Sequence, residues 1–370
     1  MAINLSFANN NGVVDELILK LINDVGGIQY PGFVREMIIS ALKAGQETDY
    51  LADMKMLNNT MKEMRYTNKV FAPYRHKKKV TIFGSARTAP DDFSYRTCVE
   101  FSRKLAEKGY MIITGGGPGI MQAGNEGAGS ENSFAVNIFL PFEQTPNMLM
   151  ANTPRLITYK YFFNRKVAFV KESDAIAVFP GGFGTLDEAM EVFTLIQTGK
   201  TTPKPLLLID DESGYWEDWL EFIKTKLLGK GFISADDFSI FTITRDVDEA
   251  VKVIDDFYSN YHSHRFVAGR LVIRLKRELT ESQLASLEVA FPEIIAAGSH
   301  IRPTDPLPEE IDEPDTLYLS RIIMDFDHHH YGLLLAFIRQ LNYFKCCFII
   351  NIAIVTFYKF NIPRRVGSHQ

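Results

Sequence analysis

The sequence is poor in several features that would define its class at once. It has only three cysteines among 370 residues, and their spacing matches neither a disulfide framework nor a zinc site. Its formal net charge of −5 provides no basic excess, so we do not expect nucleic acid as its main partner. The first residues lack the basic start and apolar core of a signal peptide. These absences favour a protein of the reducing cytoplasm.

Long apolar runs are also rare, and the one strong example lies between residues 344 and 360. This run is too short to cross a membrane comfortably, and Lys345, Asn351 and Lys359 interrupt or flank it. We therefore expect an apolar tail or a buried segment, not a membrane anchor.

Two common nucleotide-binding motifs are missing as well. The chain has no GxxxxGK[ST] loop, which argues against a P-loop ATPase or GTPase. Its longest glycine cluster, at residues 115–119, lacks the GxGxxG spacing of a dinucleotide site, and no acidic residue for a ribose hydroxyl follows it. A conventional NAD site is therefore disfavoured.

The composition that remains is that of a globular protein with more than one domain. Hydrophobic residues make up 46% of the chain and charged residues 23%. We predict four regions: a helical N-terminal extension (1–75), a Rossmann-like nucleotide-binding domain (76–262), a small α+β module (263–342) and an apolar tail of unknown role (343–370).

The second region alternates short apolar strands with helical patterns. Such strands, apolar throughout and separated by helices, are typical of a parallel sheet that is covered on both faces. We therefore predict an α/β fold with a Rossmann-like open parallel sheet. The predicted strands are 79–83, 110–114, 134–140, 175–179 and 206–209.

The rhythm changes after Tyr261. Strands at 270–275 and 319–326 and helices at 281–290 and 333–341 predict a small α+β module, for which we expect a ferredoxin-like arrangement.

Glycine-rich turns follow three of the predicted parallel strands. The carboxyl ends of such strands meet at one edge of the sheet, where ligands bind, and glycine allows the backbone to approach a phosphate closely. The candidate binding residues are Gly84 and Ser85 in the first turn, Gly115, Gly116, Gly117 and Gly119 in the second, and Gly181, Gly182, Gly184 and Thr185 in the third.

The third turn has two interpretations. Thr185 and Glu188 fit a capping box, in which Thr185 is the N-cap and Glu188 reaches back to its amide. Alternatively, the preceding glycines cradle a phosphate. Glu188 would then be a poor phosphate ligand because of like-charge repulsion, and would be better placed to act on the attached sugar.

Three motifs in order resemble the LONELY GUY family, whose members were formerly described as lysine decarboxylases. They are Gly-Gly-Gly-x-Gly-Ile-Met at 115–121, Asn-Arg-Lys at 164–166 and Pro-Gly-Gly-x-Gly-Thr-x-x-Glu at 180–188, and the resemblance covers residues 78–260. It implies a homo-oligomer that hydrolyses the N-glycosidic bond of a nucleoside 5'-monophosphate. Ordinary purine or pyrimidine nucleotides and cytokinin riboside monophosphates are both candidate substrates.

The resemblance also implies the roles of individual residues. Glu188 matches the catalytic glutamate and Arg165 the essential arginine, while Lys166 beside it is a further candidate for substrate binding. A carboxylate near the sugar can stabilise an oxocarbenium-like transition state or deprotonate water. No cofactor is expected, and no pyridoxal phosphate constellation can be recognised.

Two alternatives remain at this point. The chain could be a nucleotide sensor that binds without hydrolysis, or a scaffold with a vestigial site. Residues 327–330, Asp-His-His-His, have the composition of a metal site, but we interpret them as a turn between a strand and a helix and expect no metal.

Overall fold

A computed structural model describes residues 7, 12–140 and 146–344 of the chain. Two compact units divide between Tyr66 and Thr67. The apolar stretch from residue 345 onwards lies outside the described residues, as do Cys346 and Cys347. No helix in the described ranges combines the length and apolar character needed to cross a membrane.

The first unit is helical, as predicted. Its helices are α1 (Val13–Val25), α2 (Pro31–Glu47) and most of α3, which runs from Leu51 to Phe71. Ile18 and Ile22 of α1 pack against Ile39 of α2 and form a small apolar core.

The second unit contains a seven-stranded parallel sheet, which confirms the predicted fold class. In the order β4-β3-β2-β1-β5-β6-β7, its strands are β1 (Lys79–Phe83), β2 (Met111–Thr114), β3 (Ser133–Ile138), β4 (Leu156–Tyr159), β5 (Ala175–Val178), β6 (Leu206–Ile209) and β7 (Thr242–Thr244). The direction of winding reverses between β1 and β5, and this switch point is where open parallel sheets leave a crevice for ligands.

Helices cover both faces of this sheet. They are α4 (Phe93–Glu107), α5 (Ile120–Ala128), α6 (Phe162–Lys171), α7 (Phe183–Gln197), α8 (Tyr215–Phe222) and α9 (Val247–Phe257). One apolar core contains Phe134 and Trp216, and the other contains Phe101 and Ile254. Strands β1, β2, β3, β5 and β6 are buried along their whole length, which explains their uninterrupted apolar character.

The C-terminal module is an antiparallel sheet with two helices. Its elements are β8 (Tyr261–Val267), β9 (Arg270–Leu275), α10 (Glu281–Ala290), β10 (Arg302–Pro303), β11 (Ser320–Met324) and α11 (Tyr331–Tyr343), with strand order β10-β11-β9-β8. This succession is β-β-α-β-β-α, so the expected ferredoxin-like order, β-α-β-β-α-β, is wrong. The reason is strand β8, which the polar residues at 262–265 concealed. The predicted boundaries at residues 75 and 262 stay predictions.

Candidate active site

The three glycine-rich turns meet at the switch point of the parallel sheet. The Ser85 amide donates a hydrogen bond to the Pro180 carbonyl at 3.1 Å, which joins the first and third turns. The Ile120 amide donates to the Ser85 carbonyl at 3.0 Å, which joins the first turn to the second. We call the surface formed by Gly84–Ser85, Gly115–Gly119 and Gly181–Gly184 the cradle.

Glycine is required where the turns of the cradle touch. Gly119 has a φ of +63°, and a Cβ there would lie 2.3 Å from the Ser85 carbonyl oxygen. A Cβ at Gly181 would lie 2.2 Å from the Thr185 hydroxyl oxygen. In contrast, a Cβ at Gly182 or Gly184 would meet no atom within 4 Å. Close packing within the cradle thus requires glycine at positions 119 and 181, but not at positions 182 and 184.

Gly84, Gly115 and Gly116 serve close approaches of other kinds. A Cβ at Gly84 would lie 2.6 Å from the Ile120 side chain, and a Cβ at Gly116 would lie 2.8 Å from that of Ala135. A Cβ at Gly115 would lie 2.5 Å from Nη2 of Arg165. The second turn therefore runs directly against the arginine that the family resemblance singled out.

A buried polar network, which the sequence did not reveal, supports the second turn. The Thr114 hydroxyl and the Asn147 amide nitrogen both donate to Oδ1 of Asn125, at 2.9 and 3.0 Å. The backbone amide of Gly116 donates to the Thr114 hydroxyl at 3.0 Å, and the backbone amide of Asn147 donates to the Gly116 carbonyl at 2.7 Å. The Asn147 side chain also donates to the Gly117 carbonyl at 3.3 Å.

The third turn does not contain the capping box. Helix α7 begins at Phe183 with Gly182 as its N-cap, so Thr185 lies inside the helix and cannot cap it. The glycines allow the helix to begin directly after Gly182, so its first unpaired backbone amides lie at the cradle. The positive end of the helix dipole also lies there and favours an anion. The Tyr215 hydroxyl fixes this turn by donating to the Gly181 carbonyl at 2.7 Å.

Helix α6 places Arg165 under the cradle. Its Nε donates to the Val136 carbonyl at 2.9 Å, and its guanidinium lies over the Phe169 ring at 5.1 Å. Burial lowers the pKa of Arg165, and the charge of Glu188 opposes this effect. An arginine keeps its positive charge in such surroundings.

Glu188 lies on the second turn of α7 with only 12% of its side chain exposed. Its Oε2 is 3.7 Å from Nζ of Lys166. Burial raises the pKa of Glu188 above its ordinary value, and the positive charges of Lys166 and Arg165 act against that rise. The structure therefore brings Arg165 and Lys166 together around the largely buried carboxylate of Glu188.

Lys166 has a different set of partners from those that the sequence suggested. Its Nζ is 2.9 Å from both Asp187 Oδ2 and Glu191 Oε2, in addition to its contact with Glu188. Sequence reasoning missed Asp187 and Glu191, although both lie on the helix that carries Glu188. Their spacing of four residues places them on one face of α7, and this was the available signal.

Residues 327–330 form a turn before α11. Asp327 accepts hydrogen bonds from the backbone amides of His329 and His330, and its Oδ2 lies 2.5 Å from Nδ1 of His330. Within the described ranges, no group of three or more His, Cys, Asp or Glu side chains is arranged to hold a metal ion.

Comparisons with known proteins point to one family. A family model described as "Possible lysine decarboxylase" matches residues 118–254. Cytokinin riboside 5'-monophosphate phosphoribohydrolase LOG1 of Arabidopsis thaliana is 28% identical over 183 residues, which cover 49% of this chain and 84% of that protein. Probable cytokinin riboside 5'-monophosphate phosphoribohydrolase LOGL5 of Oryza sativa subsp. japonica is 31% identical over 159 residues, which cover 42% of this chain and 63% of that protein.

Among solved structures, the molybdenum cofactor binding protein of Rippkaea orientalis is 20% identical. The match covers 48% of this chain and 96% of that one, with a TM-score of 0.36.

The fold and site define a Rossmann-like α/β protein with a glycine-lined cradle beside a buried carboxylate. Over about half of its length the chain is similar to phosphoribohydrolases of the LONELY GUY family, and it matches the family model over residues 118–254.

Proposed function

We propose that this chain hydrolyses the N-glycosidic bond of a nucleoside 5'-monophosphate. The products are a free base and ribose 5-phosphate, and the base is that of a purine or pyrimidine nucleotide or of a cytokinin riboside monophosphate. The observation that carries the proposal is the position of Glu188, a buried carboxylate one turn above the amino end of α7.

The cradle is suited to the phosphate of such a substrate. Backbone amides at the start of α7 and the positive end of its dipole attract an anion. Arg165 adds a positive charge whose Nη2 points towards Gly115, and a guanidinium fork matches the oxygens of a phosphate. A phosphate held there leaves Glu188 free to act on the ribose and not on the phosphate itself.

Glu188 then has the properties of a general base. Burial raises the pKa of its carboxyl, which brings its basicity closer to neutral pH. It takes a proton from water as the water oxygen bonds to C1′ of the ribose. The C1′–N bond breaks, its electron pair leaves with the base, and the proton passes to a nitrogen of that base. While ionised, Glu188 also stabilises the positive charge that develops on the sugar.

The residues do not fit the pyridoxal phosphate chemistry that the name lysine decarboxylase implies. A Schiff base needs a neutral lysine amine at the site. Burial lowers the pKa of Lys166, but the carboxylates of Glu191 and Asp187, each 2.9 Å away, outweigh burial together with Glu188, and the net pKa lies above the ordinary value. Lys166 is therefore held as a cation, and no cofactor is part of the proposal.

The proposal predicts that Glu188→Gln separates turnover from binding. Base release should be followed by chromatography with AMP, GMP, IMP, CMP, UMP and a cytokinin riboside monophosphate, and nucleotide binding by calorimetry. We expect base release to fall by roughly 10²-fold or more, while the dissociation constant changes by only a few-fold.

Glu172→Gln is the matched control, because Glu172 lies beyond the carboxyl end of α6 and pairs with Lys171. This variant should retain wild-type turnover. Undiminished base release by Glu188→Gln would contradict the assignment. Nucleotide binding without base release by the wild type would favour the sensor.

A further inference from the structure

The ammonium group of Lys166 lies among three carboxylates of one helix. It is 2.9 Å from Asp187, 2.9 Å from Glu191 and 3.7 Å from Glu188. Lys166 is on α6 and the carboxylates are on α7, so these contacts join the two helices that carry the motif residues.

The contacts are shielded from water to different degrees. Side-chain exposure is 16% for Lys166 and 12% for Glu188, but 63% for Asp187. Charges that are partly removed from water interact more strongly than exposed ones. The attraction between Lys166 and Glu188 is therefore stronger than their distance of 3.7 Å alone suggests. The contacts with Asp187 and Glu191 hold the ammonium group in place.

We propose that Lys166 is a positioning residue, which holds Glu188 ionised and aligned through ion pairs across the α6–α7 interface, and is not a ligand of the substrate phosphate. The inference rests on the proposed function of Glu188. It replaces the expectation that Lys166 binds substrate.

A role as phosphate ligand would have a cost at this position. Lys166 would have to leave two ion pairs of 2.9 Å and expose three neighbouring carboxylates to one another. The cradle already offers backbone amides and Arg165 to an anion. Arg165 has different surroundings from Lys166. Its Nη2 faces Gly115 of the cradle, whereas Nζ of Lys166 lies at ion-pair distance from carboxylates.

The charges that face Glu188 predict the direction of the effect. Lys166 and Arg165 approach it from α6 and lower its pKa, while Glu191 and Asp187 on its own helix raise it. Loss of Lys166 removes one favourable charge and leaves both unfavourable ones. Glu188 would then titrate at higher pH, and a smaller fraction would be ionised at any pH below neutrality.

The direct test is the titration of Glu188 by nuclear magnetic resonance. Protein labelled with ¹³C at the glutamate carboxyl is titrated as wild type, Lys166→Met and Lys166→Arg, and the Glu188 signal is the one missing from Glu188→Gln. We expect the signal to titrate at higher pH in Lys166→Met and close to the wild-type pH in Lys166→Arg. Lys171→Met is the control, because Lys171 is an exposed residue of the same helix that bonds to Asn68 at 3.1 Å.

A second variant covers the case in which Lys166→Met does not fold. Glu191→Gln removes a negative charge beside Glu188 and leaves Lys166 to the two remaining carboxylates. The Glu188 signal should then titrate at lower pH than in the wild type, the opposite direction. An unchanged titration in both Lys166→Met and Glu191→Gln would overturn the proposal, as would an unchanged titration in the one that folds.

Kinetics distinguish positioning from phosphate binding. We expect Lys166→Met to lower kcat roughly tenfold, a part of the 10²–10⁴-fold that a general base contributes, with KM within about twofold of wild type and the acid limb of the rate profile moved to higher pH. A raised KM with an unmoved acid limb would overturn the proposal. If the wild type releases no base, the proposed function fails, and the carboxyl titration still decides whether Lys166 controls Glu188.

Discussion

Two glycines with left-handed backbone angles bound helix α5, and only one of them lies in the cradle. Gly119 precedes the helix with a φ of +63° and Gly129 follows it with a φ of +76°. A Cβ at Gly119 would lie 2.3 Å from the Ser85 carbonyl oxygen, whereas a Cβ at Gly129 would meet no atom within 4 Å. Substitutions at these two positions therefore distinguish the strain of a positive φ from the steric crowding within the cradle.

We predict that Gly119→Ala is the more damaging of two matched substitutions. Gly129→Ala adds only the strain of a positive φ, about 1–3 kcal/mol, and should leave KM for nucleotide unchanged. Gly119→Ala adds a clash with the Ser85 carbonyl to a strain of the same kind, so the free energy of unfolding should fall further and KM should rise. Denaturant unfolding and steady-state kinetics measure both quantities. Equal stability and equal KM in the two variants would contradict a cradle built on close backbone approach.

Single residues were predictable where the motif is contiguous in sequence. Glu188, Arg165 and the glycines of the three turns all come from local patterns. The partners of Lys166 were not predicted because they depend on the relative rotation of two helices. Asn125 and Asn147 were missed for a related reason, since 22 residues separate them and neither lies in a motif.

At the level of elements, the polar network under the second turn links a strand, a helix and a loop. Asn125 is fully buried on α5 and accepts hydrogen bonds from Thr114 at the end of β2 and from Asn147 between β3 and β4. Removal of a buried partner leaves the other groups unsatisfied. The network therefore couples the stability of α5 to the conformation of the cradle.

We predict that Asn125→Ala destabilises the protein and weakens substrate binding together. The cost should be about 1–3 kcal/mol for each buried group left without a partner, and KM should rise because the second turn loses its support. Asp92→Ala is a suitable control. Asp92 caps α4 by accepting from the Ser94 amide at 2.8 Å, so its loss should cost about 1 kcal/mol without a change in KM. An unchanged KM in Asn125→Ala would show that the network is only structural.

The elements that were predicted wrongly have identifiable physical reasons. Thr185 and Glu188 satisfy the spacing of a capping box, but the glycines before them allow α7 to begin at Phe183. Strand β8 was missed because four consecutive polar residues, at 262–265, give it no apolar alternation. It forms a hairpin with β9 through Ala268 and Gly269, which both have positive φ. The strands of the parallel sheet that were predicted are those buried on both sides.

Across the second unit, the C-terminal module packs against the end of α7 that lies away from Glu188. A Cβ at Gly199 would lie 2.2 Å from the ring of Tyr331, at the start of α11. Next to this contact, Nδ1 of His330 lies 2.5 Å from Asp327, and its Nε2 lies 3.9 Å from Asp236 of the parallel domain.

The His330 contacts predict a pH-dependent contribution to stability. The hydrogen bond with Asp327 raises the pKa of His330 in the folded state. Burial raises the pKa of Asp327, but its hydrogen bonds with His330 and two backbone amides outweigh burial, and the net pKa is lowered. The contribution is therefore complete between the ordinary aspartate pKa of about 3.9 and the ordinary histidine pKa of about 6.5. It is lost as the pH rises through the folded pKa of His330 or falls through that of Asp327.

Denaturant unfolding of His330→Gln at several pH values tests this prediction. The wild type should exceed the variant in stability most at mildly acid pH, and the difference should shrink as the solution becomes alkaline. The effect should be modest because His330 is 39% exposed and solvent screens the pair. His329→Gln, one residue earlier in the same turn, is the matched control. A difference that grows with pH would contradict the assignment.

The central claim is that the glycosidic bond of a nucleotide is broken at Glu188. The most direct measurement is a mass-spectrometric balance of the products formed from the best nucleotide of the panel. We predict free base and ribose 5-phosphate in equal amounts from the wild type, and formation of both slowed by roughly 10²-fold or more in Glu188→Gln. Nucleoside with inorganic phosphate, or undiminished base release by Glu188→Gln, would contradict the account.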